Sequence, residues 1–483
     1  MSDEDIRVRI APSPSGYVHV GTARMAICNW LFARHHGGKF LVRIEDTDKE
    51  RSKPEYIEAI LDAFRWLGLD WDEGILRQSE RLDHYGQFAN QILDSGAGYR
   101  CFCTSEQLAN DREEAKARKG PLQYNRRCLH LNRGEIDEKV SAGLPFTIRL
   151  RIPDGETVYD DIVSGKLTRQ NKEIEDFIIA RSDGSAVYNL AVVVDDHDMG
   201  ITHVFRGNDH VTNTFKQVHI YQALGWEPPR FGHVPLILRP DKKKVSKRLG
   251  DKDVVAYRNE GILSEAMFNY LSLLGWSSRD DREIYNRNEL VEVFTADNLR
   301  AANAIFDEEK LLALNGEHIR LKSDHELATM VAPMLVDAGL TSKYWLETRW
   351  EYLRAVISQL KSRVARLSDF VQRGGYYFSF EHDYDPEAEE KHFTPEAADR
   401  LEKLADRFDS LEPFSAGNLE TTLNEVAEEL EVKRGVLIHP TRLAVSGMSV
   451  GPSLYEMLEL LGSHNVVSRM RHAVNYIKSK YTD

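Results

Sequence analysis

The sequence of 483 residues has no long hydrophobic run and few cysteines. No stretch approaches about 18 uninterrupted apolar residues, so we expect no membrane-spanning helix and no membrane partner. The N-terminal Met-Ser-Asp-Glu-Asp is acidic and lacks the apolar core of a signal peptide, which predicts a cytoplasmic protein. Three of the four cysteines fall in one short window, a pattern that suits a metal site better than a disulfide framework.

A phosphate-binding loop of the Gly-x-x-x-x-Gly-Lys-Ser/Thr type is also missing, so a nucleotide site must use other groups. The net charge of −14, taken alone, argues against a nucleic-acid partner, because phosphate contacts need lysine and arginine. Cations are nevertheless concentrated locally, at residues 242–248, 349–373, 433–442 and 469–480. The length predicts about three or four domains, and the composition is that of a globular protein.

The N-terminal part of the chain alternates between strand and helix patterns. Residues 6–11 and 39–44 have the composition of strands. Residues 22–36 and the segment that begins at Pro54 carry apolar side chains at helical spacing. The order strand–helix–strand–helix predicts the beginning of a parallel α/β sheet.

The pattern changes between residues 99 and 179, where a cysteine-rich hairpin and a charged helix predict an insertion into the sheet domain. The α/β pattern resumes at residues 187–194, an apolar run typical of a buried parallel strand. Further strands are predicted at residues 203–206 and 233–238, and the chain beyond Asp253 is predicted to be nearly all helical.

The segment His19-Val-Gly-Thr22 stands at the start of the first predicted helix and offers groups that bind phosphate. Gly21 allows close approach of the backbone to a nucleotide, and the helix N-terminus adds amide donors and a partial positive charge. His19 can donate a hydrogen bond from its imidazole. Taken alone, a histidine in such a loop more often makes a local hydrogen bond.

A second motif, more than two hundred residues later, places Lys244, Ser246 and Lys247 in a compact basic run. Its ammonium groups are suited to neutralising the charge that builds on a departing pyrophosphate. A solvated turn is the commoner explanation of such a run by itself. The two motifs together predict an ATP site in which catalysis is positioning plus electrostatics, without a covalent nucleophile.

The cysteine window has the form Cys-x-Cys followed, after 24 residues, by Cys-x-His, in which the possible ligands are Cys101, Cys103, Cys128 and His130. Thiolate and imidazole donors are the ligands that zinc prefers in tetrahedral sites. Because all four positions are filled, the pattern predicts one structural Zn²⁺ per chain. The alternative is two unrelated pairs of residues in a reducing compartment.

Several ordered motifs resemble those of bacterial glutamyl-tRNA synthetases, which are class I aminoacyl-tRNA synthetases. The motifs are RIAPSPSGYVHVGT at 9–22, RIEDTD at 43–48, VDDH at 194–197, RGNDH at 206–210 and KVSKR at 244–248. The similarity continues through residues 306–315 to residues 439–447, and so covers essentially the whole chain.

The resemblance implies an ATP-dependent reaction in which glutamate is attached to tRNA(Glu). A glutamyl-adenylate is formed with Mg²⁺-bound ATP, diphosphate and AMP are released, and the enzyme is usually a monomer. By this resemblance, His19 and Gly21 match the first class I motif, and Lys244, Ser246 and Lys247 match the second. The implied ATP-binding residues are His19, Gly21, Thr22 and Lys247.

The substrate γ-carboxylate is best matched by the planar fork of a guanidinium, which lysine cannot reproduce. The resemblance assigns this role to Arg9 and Arg206, and it assigns the substrate ammonium to Glu45. The other implied glutamate-binding residues are Ala11, Ser13 and Tyr188. Asn208 departs from the family pattern, because many relatives carry an acidic residue there, and this puts a ribose or ATP contact at that position in doubt.

The fold class implied is an α/β Rossmann-type catalytic domain with an inserted α+β domain, followed by an all-α C-terminal anticodon-binding region. The catalytic domain is expected at 1–98 and 187–250, and the inserted, zinc-bearing domain that binds the acceptor end at 99–186. A helical stem-contact domain is expected at 251–322 and the helical anticodon-binding region at 323–483.

Four alternatives remain at this point. A glutaminyl-tRNA synthetase shares the catalytic motifs but carries a β-barrel anticodon region. A shortened relative that modifies a tRNA base lacks the C-terminal half, and a small nucleotidylyltransferase is far shorter. A catalytically inactive tRNA-binding relative is disfavoured by four intact residues of the motifs, which are His19, Glu45, Lys244 and Lys247. The sequence does not decide whether tRNA(Gln) is also charged.

Overall fold

The computed structural model describes residues 6–48, 50–117, 123–243 and 252–481. The second phosphate motif, with Lys244, Ser246 and Lys247, lies outside these residues. The chain divides into two compact units, the first formed by Met1–Ala256 with Met267–Asp307 and the second by Tyr257–Ala266 with Glu308–Asp483. This division is coarser than the four predicted domains, whose bounds stay a prediction.

The strands of the described residues all lie in the first unit. They are β1 (Arg7–Ile10), β2 (Lys39–Ile44), β3 (Leu76–Arg77), β4 (Gly98–Cys101), β5 (Thr147–Leu150), β6 (Glu156–Asp161), β7 (Gly165–Gln170), β8 (Ile178–Ala180), β9 (His203–Gly207), β10 (Arg230–Val234), β11 (Ile237–Leu238) and β12 (Ala304–Ile305).

The helices up to residue 307 are α1 (Val20–His35), α2 (Pro54–Trp66), α3 (Leu82–Asp94), α4 (Ser105–Ala117), α5 (Arg133–Ser141), α6 (Tyr188–Asp198), α7 (Val211–Leu224), α8 (Val254–Asn259), α9 (Ser264–Leu273) and α10 (Arg287–Val293). The later helices are α11 (Glu308–Leu321), α12 (Asp324–Asp337), α13 (Lys343–Thr348), α14 (Trp350–Leu360), α15 (Leu367–Gly374), α16 (Pro386–His392), α17 (Pro395–Asp409), α18 (Ala416–Glu429), α19 (Gly435–Ser446), α20 (Leu454–Leu461) and α21 (Ser463–Lys480). None of these helices is both long and apolar enough to cross a membrane.

Parallel strands form the centre of the first unit. One sheet has the order β1-β2-β3 and the other the order β7-β6-β10-β9, and all neighbours are parallel except β6 and β7. The amide of Thr202 donates to the carbonyl of Arg7 at 3.0 Å, which brings the start of β9 beside β1. The resulting order is that of a Rossmann-type sheet, so the predicted α/β class is confirmed.

The predicted insertion contributes to this sheet as well as forming structure of its own. Strands β4, β5 and β8 make a separate antiparallel sheet. Strand β6, from the same stretch of sequence, instead pairs with β10 of the Rossmann-type sheet in parallel, and β7 covers its outer edge. The stretch 99–186 is therefore joined to the Rossmann-type sheet by backbone pairing.

The strand predicted at residues 187–194 is wrong, because these residues belong to helix α6. The valine-rich run predicts a strand because it is apolar without interruption. In the structure Leu190, Val193 and Val194 are completely buried, and so are most residues between them. A helix that is buried on every side shows no periodicity, and a short apolar run cannot then be distinguished from a buried strand.

The second unit is helical throughout its described residues, as predicted for the chain beyond Asp253. Its core is aliphatic and aromatic, with completely buried residues such as Leu353 of α14 and Leu404 of α17. Arg469 of α21 is buried among these residues and donates hydrogen bonds to three backbone carbonyls, those of Tyr376, Ser379 and Val445, at 2.6 to 2.8 Å. These bonds, made by Nη1 and Nη2, offset part of the cost of burying the guanidinium.

His203 at the start of β9 gives a prediction about pH. Burial, together with the nearby Arg230 and His36, lowers the pKa of this histidine from 6.5 to about 4. The unfolded chain therefore binds the extra proton first, so stability contributed by neutral His203 is present above pH 6.5 and is lost as the pH falls towards 4. Between pH 7 and pH 5 this loss is about 2 kcal/mol at most.

The measurement is urea denaturation at pH 7 and pH 5. In the variant His203→Asn the loss of unfolding free energy between the two pH values should be smaller than in the parent chain. The control is Gly86→Ala in α3, which alters no titratable group and whose Cβ would meet no atom closer than 3.8 Å, so the pH dependence should be that of the parent chain. Equal pH dependence in the parent chain and His203→Asn would contradict the assignment.

Candidate active site

A cavity of about 470 Å³ lies at the carboxyl ends of β1, β2, β9 and β10 in the first unit. In open parallel sheets this is the edge at which ligands bind, because the loops that follow the strands diverge there. The predicted residues that line it are Arg9, Ala11, Ser13, His19, Gly21, Thr22, Glu45, Tyr188 and Arg206. The structure thus brings together every predicted ATP- and glutamate-binding residue that it describes.

His19 occupies the N-cap position of α1. Its Nδ1 accepts hydrogen bonds from the amides of Gly21, at 3.0 Å, and Thr22, at 3.3 Å. Because Nδ1 accepts, the neutral imidazole carries its proton on Nε2, which lies 3.3 Å from the hydroxyl of Thr22. The ring therefore has an N–H donor beside the cavity. The sequence predicts that amides at the N-terminus of α1 bind a phosphate. In the structure the amides of Gly21 and Thr22 donate to the imidazole of His19 instead.

Gly21 has a steric role that the sequence alone does not show. A Cβ atom at this position would lie 2.8 Å from Cε1 and 2.9 Å from Nδ1 of His19. Side-chain atoms do not approach so closely, so any larger residue would push the imidazole out of its cap. Gly21 is thus needed to keep His19 in place. This adds to the predicted role of Gly21, which is to let the backbone approach a nucleotide closely.

Arg9 and Arg43 meet at the buried carboxylate of Asp196. Arg9 binds it with Nε at 2.9 Å and Nη2 at 3.3 Å, and Arg43 binds it with Nη1 at 2.5 Å. Burial raises the pKa of Asp196, but Arg43 and Arg9 outweigh this and lower it to about 2. Asp196 lies in the motif VDDH, but the sequence pattern does not show that it pairs with two distant arginines.

Glu45 follows β2 and accepts a hydrogen bond from Nη2 of Arg43 at 3.2 Å. Burial raises the pKa of this carboxyl, and the charges of Arg43 and Arg9 oppose the rise. The side chain keeps 12% of its surface exposed, at the wall of the cavity. A carboxylate held in this way can receive a cationic group from a ligand.

Arg206 of β9 differs from Arg9 because no carboxylate among the described residues forms an ion pair with it. Its Nη2 donates to the hydroxyl of Thr214 at 2.6 Å and to Oε1 of Gln217 at 2.7 Å. Its Nη1 is buried and has no hydrogen-bond partner in the described structure. A buried guanidinium N–H without a partner at the wall of a cavity is suited to an anionic ligand.

Tyr188, at the start of α6, completes one wall of the cavity. Burial, assisted by Glu45, raises the pKa of this phenol to about 12, so it stays neutral and can donate. Its oxygen lies 3.1 Å from Nδ1 of His210, whose pKa burial and Arg206 lower to about 4. His210 belongs to the motif RGNDH and was not singled out in the sequence.

Three cysteines of the predicted metal site converge in the structure. The sulfurs of Cys101, Cys103 and Cys128 lie within 4.8 Å of one another. The hydroxyl of Tyr124 lies 3.4 Å from the sulfur of Cys101 and 3.5 Å from that of Cys103. His130 is exposed and is not a member of this group, although the sequence predicts it as the fourth ligand.

Comparison with known families gives two matches. Residues 5–313 match the family described as "tRNA synthetases class I (E and Q), catalytic domain". Residues 326–474 match the family described as "Anticodon binding domain". The first match alone covers more than half of the chain.

Two curated relatives and one solved structure illustrate the similarity. The glutamate–tRNA ligase of Thermodesulfovibrio yellowstonii is 45% identical over 472 residues, which cover 97% of this chain and 99% of that protein. Glutamate–tRNA ligase 1 of Caldanaerobacter subterraneus is 41% identical over 476 residues, 98% of each. The crystal structure of a glutamate tRNA ligase from Elizabethkingia meningosepticum in complex with its amino acid has a TM-score of 0.89 at 31% identity, covering 98% of this chain and all of that one.

The contact between Gly21 and His19 gives a prediction about nucleotide binding. In Gly21→Ala the new methyl group displaces the imidazole, and the N–H donor is lost from the cavity. We expect ATP to bind at least about tenfold more weakly, measured by isothermal titration calorimetry. Gly86→Ala in α3 is the control, because its Cβ would meet no atom closer than 3.8 Å. Unchanged ATP affinity in Gly21→Ala would contradict the role of His19.

Proposed function

The chain belongs to the glutamate–tRNA ligases, a family of class I tRNA synthetases, and from this we propose that it attaches L-glutamate to tRNA(Glu) in an ATP-dependent reaction. An oxygen of the substrate α-carboxylate attacks the α-phosphorus of ATP. The bond from that phosphorus to the bridging oxygen breaks, and diphosphate leaves. A hydroxyl of the terminal adenosine of tRNA then takes the glutamyl group, and AMP is released.

The observation that carries this proposal is the charge arrangement in the cavity. Arg206 and Glu45 both line it, and no carboxylate among the described residues forms an ion pair with Arg206. The buried Nη1 of Arg206 offers a cationic donor to a carboxylate, and Glu45 offers a carboxylate to an ammonium, and glutamate carries both kinds of group. A substrate carboxylate at Nη1 satisfies a buried donor, which favours binding of this amino acid.

Individual roles follow from the partners of each side chain. Arg206 receives the γ-carboxylate through Nη1, with Arg9 assisting through the nitrogen that its ion pair with Asp196 does not use. Glu45 receives the substrate ammonium. Tyr188 and Ser13 donate to the remaining oxygens, and the backbone at Ala11 forms the floor beside them.

The phosphates of ATP are received in the same cavity, by the N–H of His19 and by Thr22 beside it. Mg²⁺ accompanies ATP and neutralises part of the phosphate charge. Lys244, Ser246 and Lys247 act on the departing diphosphate, and Lys247 supplies a positive charge where negative charge develops. Positioning and electrostatics then account for catalysis without a covalent enzyme intermediate.

The second unit binds tRNA. Support comes from its helical architecture and from the match of residues 326–474 to an anticodon-binding family. A glutaminyl-tRNA synthetase with a β-barrel anticodon region is disfavoured, because residues 308–481 contain no strand. Charging assays with purified tRNA(Glu) and tRNA(Gln) determine which of the two tRNAs is accepted.

A structural zinc ion fits the cysteine cluster, because three thiolates are donors that Zn²⁺ prefers. The interaction between Cys101 and Cys128 lowers the pKa of the Cys101 thiol and raises that of the Cys128 thiol, so Cys101 is the one of this pair that ionises first. Cys101, Cys103 and Cys128 would hold the ion. The phenol of Tyr124 is suited to the fourth position, in preference to the predicted His130.

For the metal site we expect about one zinc per chain in the purified protein, measured by inductively coupled plasma mass spectrometry. Cys103→Ser should lose most of this zinc, because a hydroxyl is a poor replacement for a thiolate. Cys28→Ser, which alters a buried cysteine outside the cluster, should retain it. Zinc content near zero in the parent chain would contradict the site.

For catalysis we expect ATP–pyrophosphate exchange that depends on glutamate and tRNA(Glu). Lys247→Ala should lower kcat by about 100- to 1000-fold, because it removes charge stabilisation of the leaving diphosphate. Lys243→Ala, which alters an exposed lysine just before the motif, should change kcat by less than about threefold. Exchange at the parent rate in Lys247→Ala would contradict the proposed mechanism, and no exchange in the parent chain would favour an inactive tRNA-binding relative.

A further inference from the structure

Three side chains that do not line the cavity hold the guanidinium of Arg206 in place. Besides the bonds of Nη2 to Thr214 and Gln217, its Nε donates to Nε2 of His233 at 3.3 Å. His233 lies on β10, next to β9, and is completely buried. Nε and Nη2 are therefore bonded to protein side chains, and Nη1 has no hydrogen-bond partner among the described residues.

His233 is itself held by Asp161 at the end of β6. Nδ1 of the histidine lies 2.6 Å from Oδ2 of Asp161, and its backbone amide donates to the same oxygen at 3.0 Å. The other carboxylate oxygen accepts from the amides of Ser164, at 2.8 Å, and Val163, at 3.0 Å. Both side chains have no exposed surface, so the pair is fixed in one arrangement.

The carboxylate determines which ring nitrogen of His233 carries the proton. An ionised carboxylate only accepts hydrogen bonds, so Nδ1 must be the donor. Burial lowers the pKa of His233, and the ring stays neutral with a lone pair on Nε2. That lone pair can accept from Nε of Arg206 and from the hydroxyl of Thr214, which lies 2.8 Å away. A proton on Nε2 would instead face Nε of Arg206, which can only donate.

We propose that His233, oriented by Asp161, is a positioning residue that fixes the guanidinium of Arg206 so that Nη1 is left for the substrate carboxylate. This inference rests on the proposed function, in which Arg206 binds the γ-carboxylate. His233 touches no substrate. Its effect is on glutamate binding, through the orientation of Arg206.

The arrangement also assigns a role to the stretch predicted as an inserted domain. Asp161 lies within residues 99–186, and it reaches the catalytic sheet because β6 pairs with β10 at Phe231. A residue of that stretch thereby supports the amino-acid pocket. Displacement of β6 would remove the group that sets the proton of His233.

Two substitutions of His233 separate positioning from packing. In His233→Asn the amide can replace Nδ1 and bind Asp161, but nothing replaces Nε2. In His233→Gln the longer side chain can place its Oε1 near the position of Nε2. We expect His233→Asn to raise the KM for glutamate by about 10- to 100-fold, with kcat and the KM for ATP changed by less than about threefold. His233→Gln should keep the glutamate KM within about threefold of the parent value.

His219 provides a matched control. It is a buried histidine of α7, and its Nε2 lies 2.8 Å from the hydroxyl of Thr157 on β6, as Nε2 of His233 lies 2.8 Å from that of Thr214. Arg206 makes its side-chain hydrogen bonds to Thr214, Gln217 and His233, and not to His219. His219→Asn should lower the melting temperature in the same way as His233→Asn without raising the KM for glutamate.

The assay is ATP–pyrophosphate exchange with the full chain and tRNA(Glu), and the melting temperature is measured for every variant. If His233→Asn does not fold, Asp161→Asn is the second variant, because it lets the proton of His233 move to Nε2. An unchanged glutamate KM in whichever of the two variants folds, or an equal rise in His219→Asn, overturns the inference. Arg206→Ala is measured beside them. If it leaves the glutamate KM unchanged, the proposed role of Arg206 fails instead.

Discussion

The buried carboxylate of Asp196 is the group on which the rest of the active-site architecture depends. It receives Arg9 from β1 and Arg43 from β2, and it is itself carried by α6. Buried charges are costly unless they are paired, and removing one partner of such a pair costs about 3 to 5 kcal/mol. This requirement fixes the ends of two strands and the last turn of a helix relative to one another.

The charged groups around the cavity differ in whether the protein itself provides an oppositely charged partner. Arg9 and Arg43 are paired, and Glu45 is held by Arg43. Arg206 is held only by neutral partners, and one of its nitrogens is left buried and unbonded among the described residues. The specificity of such a site comes from this incomplete pairing, because a ligand without the matching anion leaves the donor unpaired.

The pattern of the sequence predicts those parts of the fold that local periodicity determines. Strands β1 and β2 and helices α1 and α2 follow their predicted ranges within a few residues, because each has one buried face or a clear end. The three cysteines are also found together, since two of them are separated by a single residue. The sequence pattern predicts a strand where α6 lies, because burial of the helix on every side removes the helical periodicity of apolar residues.

The sequence by itself therefore determined the fold class, the family and most of the residues around the cavity, because these depend on ordered motifs and short-range patterns. Tertiary structure decided which charges are paired. Asp196 lies far along the chain from Arg9, and Asp161 lies 72 residues before His233. Such partners meet only because parallel strands bring distant segments side by side. The sequence distance between two such residues does not predict that they pair, because nothing in the loops and helices between them indicates the contact.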